Sequence, residues 1–213
     1  MTDPTDNEPL PDYLFTRQDG SADELFYAEP RFVTHIDNET IEAITGYYRD
    51  HLKSGDAVLD LMSSWISHLP SEIAFSRVAG LGMNEEELAA NPQLDDWVVH
   101  NLNQQPVMPY DASSFDAVMI VVSIQYLTKP QDVFQEILRT LKPGGKCIVA
   151  MSHRLFPTKA IYAFTSMAPP DRFNFVRHTM TKAGFTDINF DDRSPESADP
   201  CWIISGNKTN SEV

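Results

Sequence analysis

From residue 57 to residue 205 the chain alternates short apolar runs with helical stretches, and this alternation constrains the fold more than any other feature. Apolar runs at 57–61, 77–81, 97–101, 115–122 and 146–151 are separated by segments long enough to cross over and return, the spacing of β-α-β units. Two more runs, 188–190 and 202–205, lie close together and read as a terminal hairpin. Helices are expected at 37–52, with Asn38 as a candidate N-cap, and at 68–75, 84–90, 132–141 and 171–183. Lys142-Pro143-Gly144-Gly145 and Gly184 supply the stops for the last two. The pattern predicts an α/β protein built on a doubly wound, mainly parallel sheet of seven strands. In such sheets ligands bind where loops leave the carboxyl ends of the strands, so candidate chemistry is sought there.

Length and charge bound the rest. With 213 residues the chain makes one ordinary domain, expected at 37–208, with an acidic, partly ordered leader at 1–36 and a disordered tail at 209–213. Thirty-one acids against 16 bases give a net charge of −15, which excludes holding nucleic acid by broad phosphate neutralisation and disfavours an anionic membrane surface. The acidity is uneven. Residues 1–50 carry −9, residues 51–150 carry −6, and residues 151–213 are neutral, while residues 151–182 hold five bases and one acid. Two readings of that basic stretch stand: a solvated helix face, or a site for an anionic ligand. The start, Met1-Thr2-Asp3-Pro4, lacks the basic and apolar parts of a secretory signal, and no apolar run approaches the ~20 residues of a membrane span. A cytoplasmic protein with two buried thiols, Cys147 and Cys201, and no metal signature is expected.

At the strand ends the residues themselves are suggestive. Asp60 closes the first strand and is followed by Leu61-Met62-Ser63-Ser64-Trp65, a carboxylate beside small residues. Gly80 and Gly82 close the second, too few glycines for a dinucleotide fingerprint. Asn101 and Asn103 after the third can donate to and accept from a base edge, and Ser123, Gln125 and Tyr126 follow the fourth. His68 is open to two readings, a ligand-facing base or a cap or packing residue.

The string Pro106-x-x-Pro109-Tyr110-x-x-x-Ser114-Phe115-Asp116-Ala117-Val118, followed by Glu136-x-x-Arg139-x-Leu141-Lys142-Pro143-Gly144-Gly145, resembles class I S-adenosylmethionine-dependent methyltransferases of the type-11 kind. The resemblance covers about residues 40–206 and implies a Rossmann-like seven-stranded sheet with an antiparallel C-terminal strand. It also implies S-adenosylmethionine as cofactor; the basic stretch adds the expectation of a small, anionic methyl acceptor, and the net charge that of no nucleic-acid or membrane partner. Asp60, Met62, Ser63 and Ser64 would approach the methionine end, Gly82, Met83 and Asn84 the ribose and adenine, Asn101 and Leu102 the adenine, and Ser123 the transfer channel. Gln125, Tyr126, His153, Arg154 and Lys159 are the acceptor-site candidates. Two departures from the family pattern stand out. Both glycines of the usual Asp/Glu-x-Gly-x-Gly loop are missing after Asp60, and Gly82 stands where an acid usually meets the ribose hydroxyls. The loop from Asp60 to Pro70 resembles a subset of the family with its own version of this segment. The reading of a different class is a catalytically silent adenosyl-binding or scaffold protein that works through a protein partner.

Overall fold

The computed structural model describes residues 10–210; the expected tail at 209–213 lies outside them from residue 211 on. Strand β1 (Ala57–Ser63) is buried along nearly its whole length, as a strand covered on both faces must be. Its side chains divide with period two, Leu59 and Leu61 to one hydrophobic cluster and Val58 to the other. The same division runs through β4 (Phe115–Val121) and β5 (Leu141–Met151). With β2 (Arg77–Gly82), β3 (Asp96–Val99), β6 (Thr186–Asp192) and β7 (Trp202–Asn207) they form one sheet in the order β3-β2-β1-β4-β5-β7-β6. The first five strands pair in parallel; β7 runs antiparallel to both β5 and β6.

One face is covered by α4 (Pro130–Thr140) and α6 (Pro169–Ala183), through Phe134, Ile137, Phe175 and Met180. The opposite face is covered by α2 (Asn38–His51), through Ile44, Tyr47 and Tyr48. Gly184 closes α6 at φ 110°, with the Gly184 and Phe185 amides donating back to Thr181 and Met180, a conformation glycine adopts without strain. Three shorter helices, α1 (Asp23–Phe26), α3 (Glu85–Ala90) and α5 (Tyr162–Ser166), complete the α-helices of the described residues. No helix among the described residues is long and apolar enough to cross a membrane.

Several expectations are corrected. The helix predicted at 68–75 does not form: Pro70 lacks a donor and biases its neighbour away from helix, and His68 sits at φ 57°. Gln93 instead brackets the Leu69 peptide, donating to its carbonyl and accepting from its amide. The N-cap of α2 is Asp37, one residue before Asn38; its carboxylate accepts from the Thr40 amide. The third strand ends at Val99, and the Lys142-Pro143-Gly144-Gly145 turn is an irregularity inside β5, between the pairs Phe115–Leu141 and Ala117–Lys146.

Residues 10–36 lie against the domain. Leu14 joins the main core cluster, Arg17 bridges to Ile161, and the Asp19 amide donates to Thr158. This places the following stretch, 23–36, over the carboxyl ends of the strands.

Candidate functional site

The order reverses between β1 and β4, and a cavity of about 310 Å³ lies over the carboxyl ends there, within the usual size range of small-molecule sites. Asp60, on β1, is 3 % exposed and lines it. Ser63 Oγ and Ser67 Oγ each donate to Asp60 Oδ2 at 2.6 Å, and Asn91 fixes Ser67 from behind. Burial pushes the Asp60 carboxyl up to about 6; the two hydroxyls oppose that shift without cancelling it. The first-strand loop therefore sets serine hydroxyls around a carboxylate that has no cationic hydrogen-bond partner among the described residues.

Backbone strain gathers at the same place. Met62, His68 and Val122 have φ of 62°, 57° and 46°, in the left-handed region that side chains avoid, and all three line the cavity. So do three of the buried side-chain atoms that lack any hydrogen-bond partner: Arg31 Nη1, His68 Nδ1 and Ser123 Oγ. Buried polar atoms in native proteins are normally paired, so these mark positions where a ligand can supply the missing partner. Burial holds His68 down to about 4, making it a neutral imidazole at physiological pH.

The two departures in the sequence meet in the structure. After the irregularity at Met62, β1 continues to Ser63 and pairs with Gly82. A Cβ on Gly82 would stand 2.3 Å from the Ser63 carbonyl oxygen, so no side chain fits there. Gly82→Ala should lower stability by about 2 kcal/mol, since the β1 backbone would have to shift. A chemical-denaturation midpoint equal to that of the wild-type protein would contradict this account.

Residues 63–149 match the model of the family described as Methyltransferase domain. The chain has the fold of S-adenosylmethionine-dependent methyltransferases. A demethylmenaquinone methyltransferase of Renibacterium salmoninarum is 40% identical over 57 residues, 26% of this chain and 24% of that protein. A mitochondrial 2-methoxy-6-polyprenyl-1,4-benzoquinol methylase of Caenorhabditis elegans is 32% identical over 65 residues, 30% of this chain and 22% of that one. The chain thus matches over less than a quarter of the length of these relatives. Among solved structures, phosphoethanolamine N-methyltransferase 2 of Haemonchus contortus in complex with S-adenosyl-L-methionine is similar, with TM-score 0.59, 16% identity, and coverage of 79% of this chain and 52% of that one. The [4+2]-cyclase SpnF is also similar, with TM-score 0.59, 15% identity, and coverage of 79% and 81%. A fold that carries a cyclase as well as methyltransferases leaves the activity to be argued from the site.

In this methyltransferase fold, the residues expected at the cofactor all border the cavity. Met62, Ser63 and Ser64 do so from β1 and its loop, and Gly82, Met83 and Asn84 from the end of β2. Asn101, Leu102 and Ser123 complete the wall. The amides of this set have other partners: Asn84 Oδ1 caps α3, Asn84 Nδ2 donates to Tyr27 and Ala28, and Asn101 Nδ2 donates to Glu24.

The acceptor candidates separate. Tyr126 and Arg154 line the cavity, Tyr126 with its ring stacked on Phe156 and its hydroxyl accepting from the Phe156 amide. Gln125, His153 and Lys159 do not line it. Gln125 is buried and donates to the Val122 and Arg154 carbonyls, and His153 turns to Asp199. Lys159 is fully buried under the leader, its ammonium 2.8 Å from the Ser21 carbonyl and 3.2 Å from Asp19. Of the five bases in the basic stretch Arg154 borders the cavity, while Lys159 and Arg172 are engaged elsewhere.

Sequence reasoning missed the leader's share of the wall, including Asp23, Tyr27 and Arg31, and it missed Glu87. Phe26 and Tyr27 were the available signal for the first. For Glu87 the signal misleads: Asn84-x-x-Glu87 spells a capping box, yet the carboxylate turns away to accept from Ser64 Oγ and the Arg31 amide.

Proposed function

We propose that this chain is an S-adenosylmethionine-dependent methyltransferase that acts, by in-line transfer, on a small acceptor carrying an anionic group. The observation that carries the reading is the cavity at the β1–β4 switch point, where three unpartnered polar atoms and three strained residues meet, and whose wall from Ser63 to Ser123 belongs to the segment similar to the methyltransferase domain family. Asp60, Met62, Ser63 and Ser64 would hold the cofactor from the first strand, with Met83, Asn101 and Leu102 on the far wall. When bound, the cofactor supplies an electrophilic methyl group on a positively charged sulfur.

The work left to the protein is alignment and exclusion of water. Tyr27, Tyr126 and Phe156 provide an aromatic wall, and the leader covers the cavity from above. Arg154 meets Asp199 through Nε alone, at 2.9 Å from both carboxylate oxygens, and its half-exposed side chain also borders the cavity. Its guanidinium terminus suits a carboxylate or phosphate on the acceptor. An acceptor that arrives deprotonated needs no general base. Two free, buried thiols are compatible with the cytoplasmic location expected from the sequence.

Calorimetry with S-adenosylmethionine and S-adenosylhomocysteine tests the reading, and no binding of either at millimolar concentration would sink it. In a screen of small carboxylates and phosphates for methyl acceptance, Arg154→Ala should raise the acceptor KM about tenfold and leave cofactor affinity unchanged. An equal loss of cofactor affinity would move Arg154 to the other half of the site.

A further inference from the structure

We infer that Glu87 receives the two ribose hydroxyls of S-adenosylmethionine, an assignment that rests on the cofactor proposed above. A vicinal diol presents two donors side by side, and a carboxylate with one open acceptor position on each oxygen answers both. Among the described residues three carboxylates line the cavity, those of Asp23, Asp60 and Glu87. Asp23 is committed on both oxygens: Oδ1 accepts from Arg17 at 2.7 Å and lies 3.5 Å from the Lys159 ammonium, and Oδ2 accepts from Asn103 at 2.9 Å. Asp60 takes two serine hydroxyls on the single oxygen Oδ2, which leaves it one-sided. Glu87 alone is loaded evenly, with the Arg31 amide at 2.7 Å on Oε1 and Ser64 Oγ on Oε2. A carboxylate offers about four lone-pair sites, so each oxygen keeps one for the ligand.

The geometry of the second strand explains why the acid comes from a helix. Position 82 cannot carry any side chain, because the Ser63 carbonyl occupies that space. Asn84 is excluded as a stand-in, since its oxygen caps α3 and its amide donates to two leader carbonyls. Glu87 lies one turn into α3, is 9 % exposed, and is oriented by one contact from the β1 loop and one from the leader. The loop that displaced the strand-end acid thus supplies the hydroxyl, Ser64, that orients its replacement.

The test compares S-adenosylhomocysteine with its 2′,3′-dideoxy analogue by calorimetry, on wild-type protein and on Glu87→Gln. Wild-type protein should bind the dideoxy analogue at least about tenfold more weakly, losing two hydrogen bonds to a charged acceptor. Glu87→Gln should bind the parent ligand about tenfold more weakly than wild type does and should discriminate poorly between the two ligands. Equal binding of both ligands by wild type overturns the assignment without calling on any variant. Full discrimination retained by Glu87→Gln overturns it too, and so does an equal loss for both ligands, the mark of a clamp that only positions Ser64 and Arg31. Failure of wild type to bind S-adenosylhomocysteine at all would instead overturn the cofactor reading beneath it.

Discussion

At pH 8 the Asp60→Asn protein should be more stable than wild type by about 2–3 kcal/mol, and at pH 4 the two should be nearly equal. The reason is the direction of the Asp60 shift. Burial lifts its carboxyl from 3.8 to about 6, so the folded state holds this proton more tightly than the unfolded chain does. The favourable contribution of the protonated group is complete below about pH 4 and is lost as pH rises through about 6. Above that, wild type carries an ionised carboxylate, 3 % exposed, with two serine hydroxyls and, among the described residues, no cation as hydrogen-bond partners. Asparagine keeps an oxygen for those hydroxyls and removes the charge. The same substitution should weaken S-adenosylmethionine binding by about ten- to a hundredfold at pH 8, because the ligand's cationic groups would be the natural counter-charge. Urea unfolding of both proteins from pH 4 to pH 8 measures the first effect and calorimetry the second. Parallel stability curves across that range would show that the carboxylate is not under strain in the unliganded protein.

The acid in the first strand was legible because a strand buried on both faces makes any charge in it conspicuous, although β1 runs on past Asp60 to Ser63. The sheet was legible for a related reason: β1, β4 and β5 need apolar residues on both sides, so their runs cannot be mistaken for half-exposed strands. What escaped was set by contacts between distant segments. The segment at 68–75 has helical composition, but Gln93 from beyond α3 bonds the Leu69 peptide and a proline follows. The coupling of Ser63 to Gly82 depends on where β1 stops, a matter of register that neither segment encodes alone. Glu87 was hidden for the same reason, since its partners lie 23 and 56 residues away.

The basic stretch is the clearest case of charge read at the wrong scale. Counted along the chain, its five bases at 151–182 look like a receptor for an anion. In three dimensions three of them serve different neighbours. Arg154 meets Asp199, Arg172 donates to the Met167 carbonyl, and Lys159 meets the leader. Lys159 is thus explained by its attraction to the acidic leader and not by an outside ligand.

That attraction predicts the largest loss of stability of any single substitution considered. Lys159→Met should destabilise the protein by about 3 kcal/mol, the lower end of the cost of leaving one member of a buried ion pair behind. Lys159 is 0 % exposed and Asp23, 3.5 Å away, is 5 % exposed, so neither can recover solvation unless the leader lifts. Arg17 still meets Asp23 at 2.7 Å, which keeps the loss from being larger. Methionine fills most of the lysine volume, so the loss reports the ammonium and its contacts with the Ser21 carbonyl, Asp19 and Asp23 rather than a cavity. Arg177→Met is the matched control: the residue is exposed on α6, and its replacement should change stability by no more than about 0.5 kcal/mol. Hydrogen exchange should quicken in residues 16–27 of Lys159→Met before it quickens in β4 or β5, because the leader is the part that ammonium holds down. Because Asp23, Tyr27 and Arg31 belong to the cavity wall, the same variant should bind S-adenosylhomocysteine less tightly, although position 159 lies outside that wall. Unchanged stability and unchanged exchange in the leader would mean that the buried lysine is not what keeps the cover closed.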